Sequence, residues 1–167
     1  MPPPDRRWAG TEIAVMKTLV LGLGNTICAD DGVGIRIAEV LKDQMSGLEA
    51  EVAQTTAAGI SLLDLIVGYQ RMIVVDAIQT RDGRAGQVYR LGLDDLPSSL
   101  HSATLHDVDL PTALELGRRL GMEMPREVII YAVEVADITT FREGCTPDVE
   151  RSIPEVARLV IQELKGT

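Results

Sequence analysis

Residues 18–24, TLVLGLG, constrain the fold of this chain more than any other stretch. An unbroken apolar run of strand length suits a sheet strand covered on both faces, the setting of a parallel sheet under helices. A short polar segment follows, and then Val33, Ile37, Val40 and Leu41 recur at the spacing of one helical face. Strand, loop and amphipathic helix make the opening of an α/β unit. The order repeats, with AEVAQT at 50–55 as a short strand, Ile60, Leu63 and Val67 marking a helix, and MIVV at 72–75 as a buried strand ending at Asp76. Two repeats of this kind predict a mostly parallel sheet, because parallel neighbours need a long crossover.

The second half of the chain adds one different strand. GRAGQVYRL at 83–91 follows MIVV too closely for a helical crossover, so it is expected as an antiparallel or edge strand. Residues 94–109 hold Pro97, three serines and both histidines without a sustained period, and read as a loop. Leu110, Ala113, Leu114 and Leu120 resume helical spacing, and REVIIYAVEV at 126–135 is the most β-branched strand. The last helix is marked by Ile153, Val156, Ala157, Val160, Ile161 and Leu164. Ser152 and Glu155 are placed as a capping box for it, while Thr146 and Pro147 offer an earlier start. No repeat or composition break divides residues 17–167, which are expected to form a single α/β domain. The Pro-rich residues 1–16 read as a flexible extension.

Composition narrows the function classes. The chain has 167 residues, 46% of them hydrophobic, which suits one domain with a sizeable core and excludes a disordered chain. Sixteen basic against 25 acidic residues give a net charge of -9, so no positive field exists to hold nucleic acid or an anionic membrane surface. No apolar run approaches the roughly 20 residues of a membrane span. Cys28 and Cys145 can form at most one disulfide, and a cytoplasmic location is expected.

The segment GLGNTICADDGVG at 22–34 lies where the first strand gives way to the first helix, the edge at which open α/β sheets bind ligands. A dinucleotide loop places G-x-G-x-x-G here, but the third position is Ile27, and Asp30 and Asp31 would repel a phosphate. Carboxylates suit a cation instead. Two readings stay open: an aspartate here caps or complements the helix start, or it is a ligand, and both hold if one acid caps while its neighbour points outward. Asp76 ends a strand buried on both sides, where a carboxylate needs a compensating partner. It either closes a turn or faces the same crevice as Asp31. His101 and His106 are each able to bind a borderline metal or move a proton, with Asp107 beside His106 as an orienting group or a further ligand. A nucleophilic serine elbow and an H-E-x-x-H helix are absent, and a Cys28 and His106 dyad is disfavoured by the acidic surroundings of Cys28.

With these residues in view, the chain resembles the hydrogenase maturation endopeptidases, which trim the C-terminus of a nickel-iron hydrogenase large subunit. The resemblance rests on VLGLGNTICADDGVGIRIAEVL at 20–41, MIVVDAI at 72–78, the HxxxLxxAL arrangement from His106 to Leu114, and GCTPDVE at 144–150. It implies a three-layer sandwich, a twisted and mostly parallel five-stranded sheet with helices on both faces. It also implies that Asp31, Asp76 and His106 form the catalytic and metal-binding set, with aspartate at position 31 where many relatives have glutamate. His101 is set aside because the LxxAL spacing counts from His106. The glycine-rich segment that positions the substrate tail in relatives corresponds to TTAAG at 55–59, where alanines stand in some glycine and acid positions.

The expected activity is removal of the C-terminal extension from a nickel-loaded large-subunit precursor. The nickel belongs to that precursor, and no organic cofactor is expected. Metal-linked hydrolysis fits the mixed oxygen and nitrogen ligand set. The alternative is a metal-checking chaperone that reads the same precursor without cutting it. The isolated chain is expected to be a monomer.

Overall fold

In the computed structural model, which describes residues 16–96 and 110–166, the first apolar run becomes strand β1 (Thr18–Leu23), buried at every position. It pairs in parallel with β2 (Ala50–Thr55) on one side and β3 (Arg71–Ile78) on the other. β4 (Val88–Gly92) runs antiparallel to β5 (Glu127–Glu134), which itself lies parallel to β3. The spatial order β2-β1-β3-β5-β4 puts β3 at the centre and leaves the half-buried β2 and β4 as edges. The short connection before β4 therefore does lead to an antiparallel edge strand, which pairs with the later β5 rather than with β3.

Strand alternation sorts the side chains into two cores. Leu19, Leu21, Met72, Val74 and Ile130 pack on one face with α2 (Leu63–Ile66) and α3 (Leu110–Arg119). Val20, Ile73, Val75, Ile129 and Val133 pack on the other with α1 (Val33–Gln44) and α4 (Pro147–Lys165). Helices thus cover both faces of a single five-stranded, mostly parallel sheet. No helix among the described residues is long and apolar enough to cross a membrane.

Two helix boundaries differ from the sequence reading. The second helix is one α-turn preceded by a 3-10 turn at Gly59–Leu62, with Ile60 and Val67 exposed. It stops because Val67 turns extended and Gly68 takes a left-handed φ of 88°. The capping box at Ser152 does not form: α4 begins at Pro147, with Thr146 at the N-cap, and Ser152 is a buried interior residue whose hydroxyl donates to the Val149 carbonyl at 2.6 Å. The earlier start wins because proline already has the first-turn φ and its missing N–H has no helical partner to lose. Residues 1–15 of the expected N-terminal extension at 1–16, and residues 97–109 of the loop with both histidines, lie outside the described residues.

Candidate functional site

The chain leaves β1 toward β2 on one side and later returns to β3 on the other, so the connections diverge at the C-terminal ends of β1 and β3. Such a reversal opens a crevice at the sheet edge. Gly22 pairs with Val75, which sets Asp76 level with Leu23, the last residue of β1. Asp76 is buried, shares the parity of Met72 and Val74 on the α2 and α3 face, and accepts a hydrogen bond from the Ala77 N–H at 2.8 Å.

Asp31 reaches the same edge because four glycines let backbone meet backbone. A Cβ on Gly34 would lie 2.2 Å from the Leu23 carbonyl oxygen and 2.4 Å from that of Val75. One on Gly22 would lie 2.4 Å from the Gly34 carbonyl oxygen, and one on Gly24 only 2.2 Å from that of Asp31. At Gly32 it would lie 2.9 Å from the Cα of Thr26. The start of α1 therefore rests directly on the ends of β1 and β3, and the 3-10 turn Ala29–Gly32 carries Asp31 there. The glycines of the 22–34 segment are explained by this approach, with Gly34 supplying the close helix and strand contact that a dinucleotide loop takes from its third glycine.

The two acids at the start of α1 have different surroundings, and neither side chain caps that helix as the sequence allowed. Asp30 is fully buried and points away from α1, whose N-cap is Gly32. Its Oδ2 accepts from the Ala136 N–H, the Asp137 N–H and the Thr146 hydroxyl, each at 3.0 Å, and its Oδ1 from the Thr146 N–H at 2.5 Å. It is a clamp between loops and serves the N-cap residue of α4 rather than its own helix. Asp31 is 9% exposed, with its N–H on the Cys28 carbonyl at 3.0 Å and its carbonyl accepting from the Asn25 N–H at 3.2 Å. Ala29, just before the pair, has a left-handed φ of 46°, a strained conformation for alanine that sets the direction of both acids.

The neighbouring segments complete the edge. The Gly24 N–H donates to the Thr55 carbonyl at 3.3 Å and the Ala57 N–H to the Thr55 hydroxyl at 2.9 Å, which fixes the start of TTAAG beside the end of β1. His106, His101 and Asp107 lie outside the described residues, and α3, four residues past His106, begins with Leu110 in the core on the Asp76 face. Among the described residues, no three His, Cys, Asp or Glu side chains could hold a metal ion. A ligand set built on Asp31 and Asp76 needs a group from beyond them.

Cys145 is held in its thiol form. Burial, followed by the charges of Asp30 and Glu150, pushes its thiol up to about 11, so it stays protonated near neutrality. Glu134 went unnoticed in the sequence. It is a buried carboxylate at the end of β5 on the Asp76 face, accepting from the Thr80 N–H at 2.6 Å and the Thr80 hydroxyl at 3.0 Å. Its position at the end of a buried strand is the signal that singled out Asp76, and the same reasoning would have found it. It holds the turn that follows β3. A cavity of about 450 Å³ lined by Arg71, Tyr131 and Glu163 lies at the opposite end of the sheet. Arg71 is five β3 residues from Asp76, roughly 16 Å along the strand, so that cavity is separate from the acids.

The turn bearing Asp31 thus lies against the ends of β1 and β3, the latter carrying Asp76, at the switch point of an α/β sheet where this class of fold binds its ligands. The profile of the hydrogenase maturation protease family matches residues 35–163, and the chain belongs to that family. The chain is 27% identical over 152 residues to the hydrogenase 2 maturation protease of Escherichia coli, covering 90% of this chain and 92% of that one. The structure of the hydrogenase maturating endopeptidase HybD from E. coli superposes with a TM-score of 0.72 at 26% identity, over 90% and 93% of the two chains. HybD from Thermococcus kodakarensis, at 19% identity and a TM-score of 0.70 over 89% and 99%, shares the fold. The protein is accordingly a peptide hydrolase, an endopeptidase of hydrogenase maturation.

Proposed function

We propose that Asp31, Asp76 and His106 surround nickel carried by the substrate, and that the peptide bond is cut beside it. As an endopeptidase of its family, the protein removes the C-terminal extension of a nickel-iron hydrogenase large-subunit precursor. The observation that carries the residue assignment is the seating of Gly34 on the Leu23 and Val75 carbonyls, which brings the turn bearing Asp31 against the strand bearing Asp76. Two carboxylates and an imidazole make a mixed oxygen and nitrogen set suited to a borderline divalent ion. Recognition of the loaded metal then marks both the mature substrate and the place of the cut. The cation polarises the scissile carbonyl and stabilises its developing oxyanion, while a carboxylate orients the attacking water. The TTAAG segment, tied to the end of β1 through Thr55, is assigned the positioning of the extended tail on this reading. The protein works in the cytoplasm as a monomer and needs no organic cofactor.

The test compares nickel-loaded with nickel-free precursor and reads the mass of the partner's C-terminus. Wild-type protein shortens the loaded form only. Asp31→Asn, Asp76→Asn and His106→Ala each lower the rate by about 100-fold or more while the chain stays folded. An unchanged rate for any of the three removes that residue from the set. A nickel-dependent complex whose mass never changes identifies the chaperone instead.

A further inference from the structure

The chain has a single phenylalanine, and it is not in the core: Phe141 is 83% exposed. Beside it stands Ile27, 53% exposed. A parallel bridge between Cys28 and Arg142 joins their two loops, with the Arg142 N–H on the Ile27 carbonyl at 3.0 Å and the Ala29 N–H on the Arg142 carbonyl at 2.9 Å. That register sets Ile27 level with Phe141. An isolated exposed apolar side chain needs no explanation, but two presented together on bridged backbone form the kind of patch that marks a contact surface.

The loops that carry the pair are already rigid. Asp30 binds Ala136, Asp137 and Thr146, and the Asp30 N–H donates to the Asp137 carbonyl at 2.8 Å, so both ends of the Phe141 loop are fastened to the segment that bears Ile27. Asp137 closes the loop from within through the N–H groups of Thr139 and Thr140. A preorganised apolar pair gives up little freedom on binding.

Its place identifies the occupant. Ile27 is four residues from Asp31, so the two cannot be more than about 14 Å apart along the chain. Only the half-buried Cys28 and the buried residues 29 and 30 separate Ile27 from Asp31, so the pair lies within the reach of about four extended residues of a polypeptide held at Asp31. The acids attract the cationic part of a substrate and have no affinity for its apolar side chains. We infer that Ile27 and Phe141 form the docking surface for an apolar segment of the large-subunit precursor adjoining the cut, a contact that determines substrate affinity without touching the reacting atoms. This rests on the proposed endopeptidase reading.

The experiment titrates precursor into the full chain and measures both Kd and the kinetics of cleavage for wild type, Ile27→Ser, Phe141→Ser, Phe141→Leu and Leu120→Ser. Leu120 is 65% exposed beyond the end of α3 and serves as the control. Serine at 27 or 141 should raise KM and Kd about tenfold, with kcat within about twofold of wild type. Phe141→Leu should recover most of the affinity, and Leu120→Ser should change neither constant. Circular dichroism melting checks that each variant is folded, and an unfolded Phe141→Ser leaves the decision to Ile27→Ser and Phe141→Leu. Cleavage by wild type with unaltered KM and Kd in the serine variants overturns the docking surface and leaves the endopeptidase reading intact. Binding without cleavage by wild type overturns the endopeptidase reading, and the Kd values alone then decide the surface. Absence of both overturns the two together.

Discussion

Four donors from residues 136–146 converge on the carboxylate of Asp30, whereas Asp31 next to it is carried on the turn that rests against the strand ends. The two should therefore separate stability from activity. Asp30→Asn keeps one acceptor oxygen but turns an amide donor toward buried N–H groups. It should cost about 2–4 kcal/mol in urea unfolding, because charged-acceptor bonds are lost and buried donors left unmet. Asp31→Asn should stay within about 1 kcal/mol of wild type in the same measurement while losing cleavage. Equal destabilisation by the two would contradict the division of roles. Composition shows that two adjacent acids precede a helix, and it shows nothing about which turns inward. That choice follows from the left-handed φ of Ala29 and from a loop more than 100 residues away in sequence.

At the level of elements, the junction of α1 with β1 and β3 is set by how closely backbones approach. Gly34→Ala puts a methyl group 2.2 Å and 2.4 Å from two strand carbonyls that are themselves held in the sheet. Alanine gains up to about 1 kcal/mol over glycine in helix propensity. The clash with fixed backbone should outweigh that, giving a net loss of about 2 kcal/mol or more in chemical denaturation. A variant as stable as wild type would mean that α1 is free to lift from the sheet. The strand, loop and helix order of this unit was legible because apolar periodicity is local. The start of α4 was not decided by local pattern, since Ser152 and Glu155 satisfy the capping rule as well as Thr146 and Pro147 do. Tertiary contact decided it, with Thr146 bound to Asp30 and Val149, Ser152 and Ile153 buried.

Across the whole molecule, the end of the sheet remote from the acids is fastened by Glu163 of α4. Its carboxylate accepts from Arg90 at 2.8 and 3.1 Å, from Arg71 at 3.1 Å and from the Tyr131 hydroxyl at 2.8 Å, joining the helix to β3, β4 and β5. The hydrogen bond from Arg90 holds this carboxyl below the usual glutamate range, opposed by burial and aided by Tyr131. A depressed folded-state pKa stabilises the protein above the unfolded value, roughly 4.3, and the contribution is lost as pH falls through the folded value. Glu163→Gln should accordingly be less stable than wild type at pH 7, by about 1–3 kcal/mol. The gap should shrink as pH drops below about 4.3, in urea titrations run at stepped pH. A gap independent of pH would assign the loss to packing alone.

The sequence by itself determined the order of strands and helices, though not every helix boundary, along with the mostly parallel sheet, the antiparallel edge strand and the acids at strand and helix ends. Each of these is written in short-range periodicity, charge and turn chemistry, which act between residues close in the chain. The tertiary structure alone decided that β3 lies between β1 and β5, that Asp76 stands level with the end of β1, that Asp30 serves a distant loop and that Phe141 faces solvent beside Ile27. Those outcomes depend on which distant segments meet and how closely, and backbone contacts between remote residues leave no local trace in the pattern of side chains.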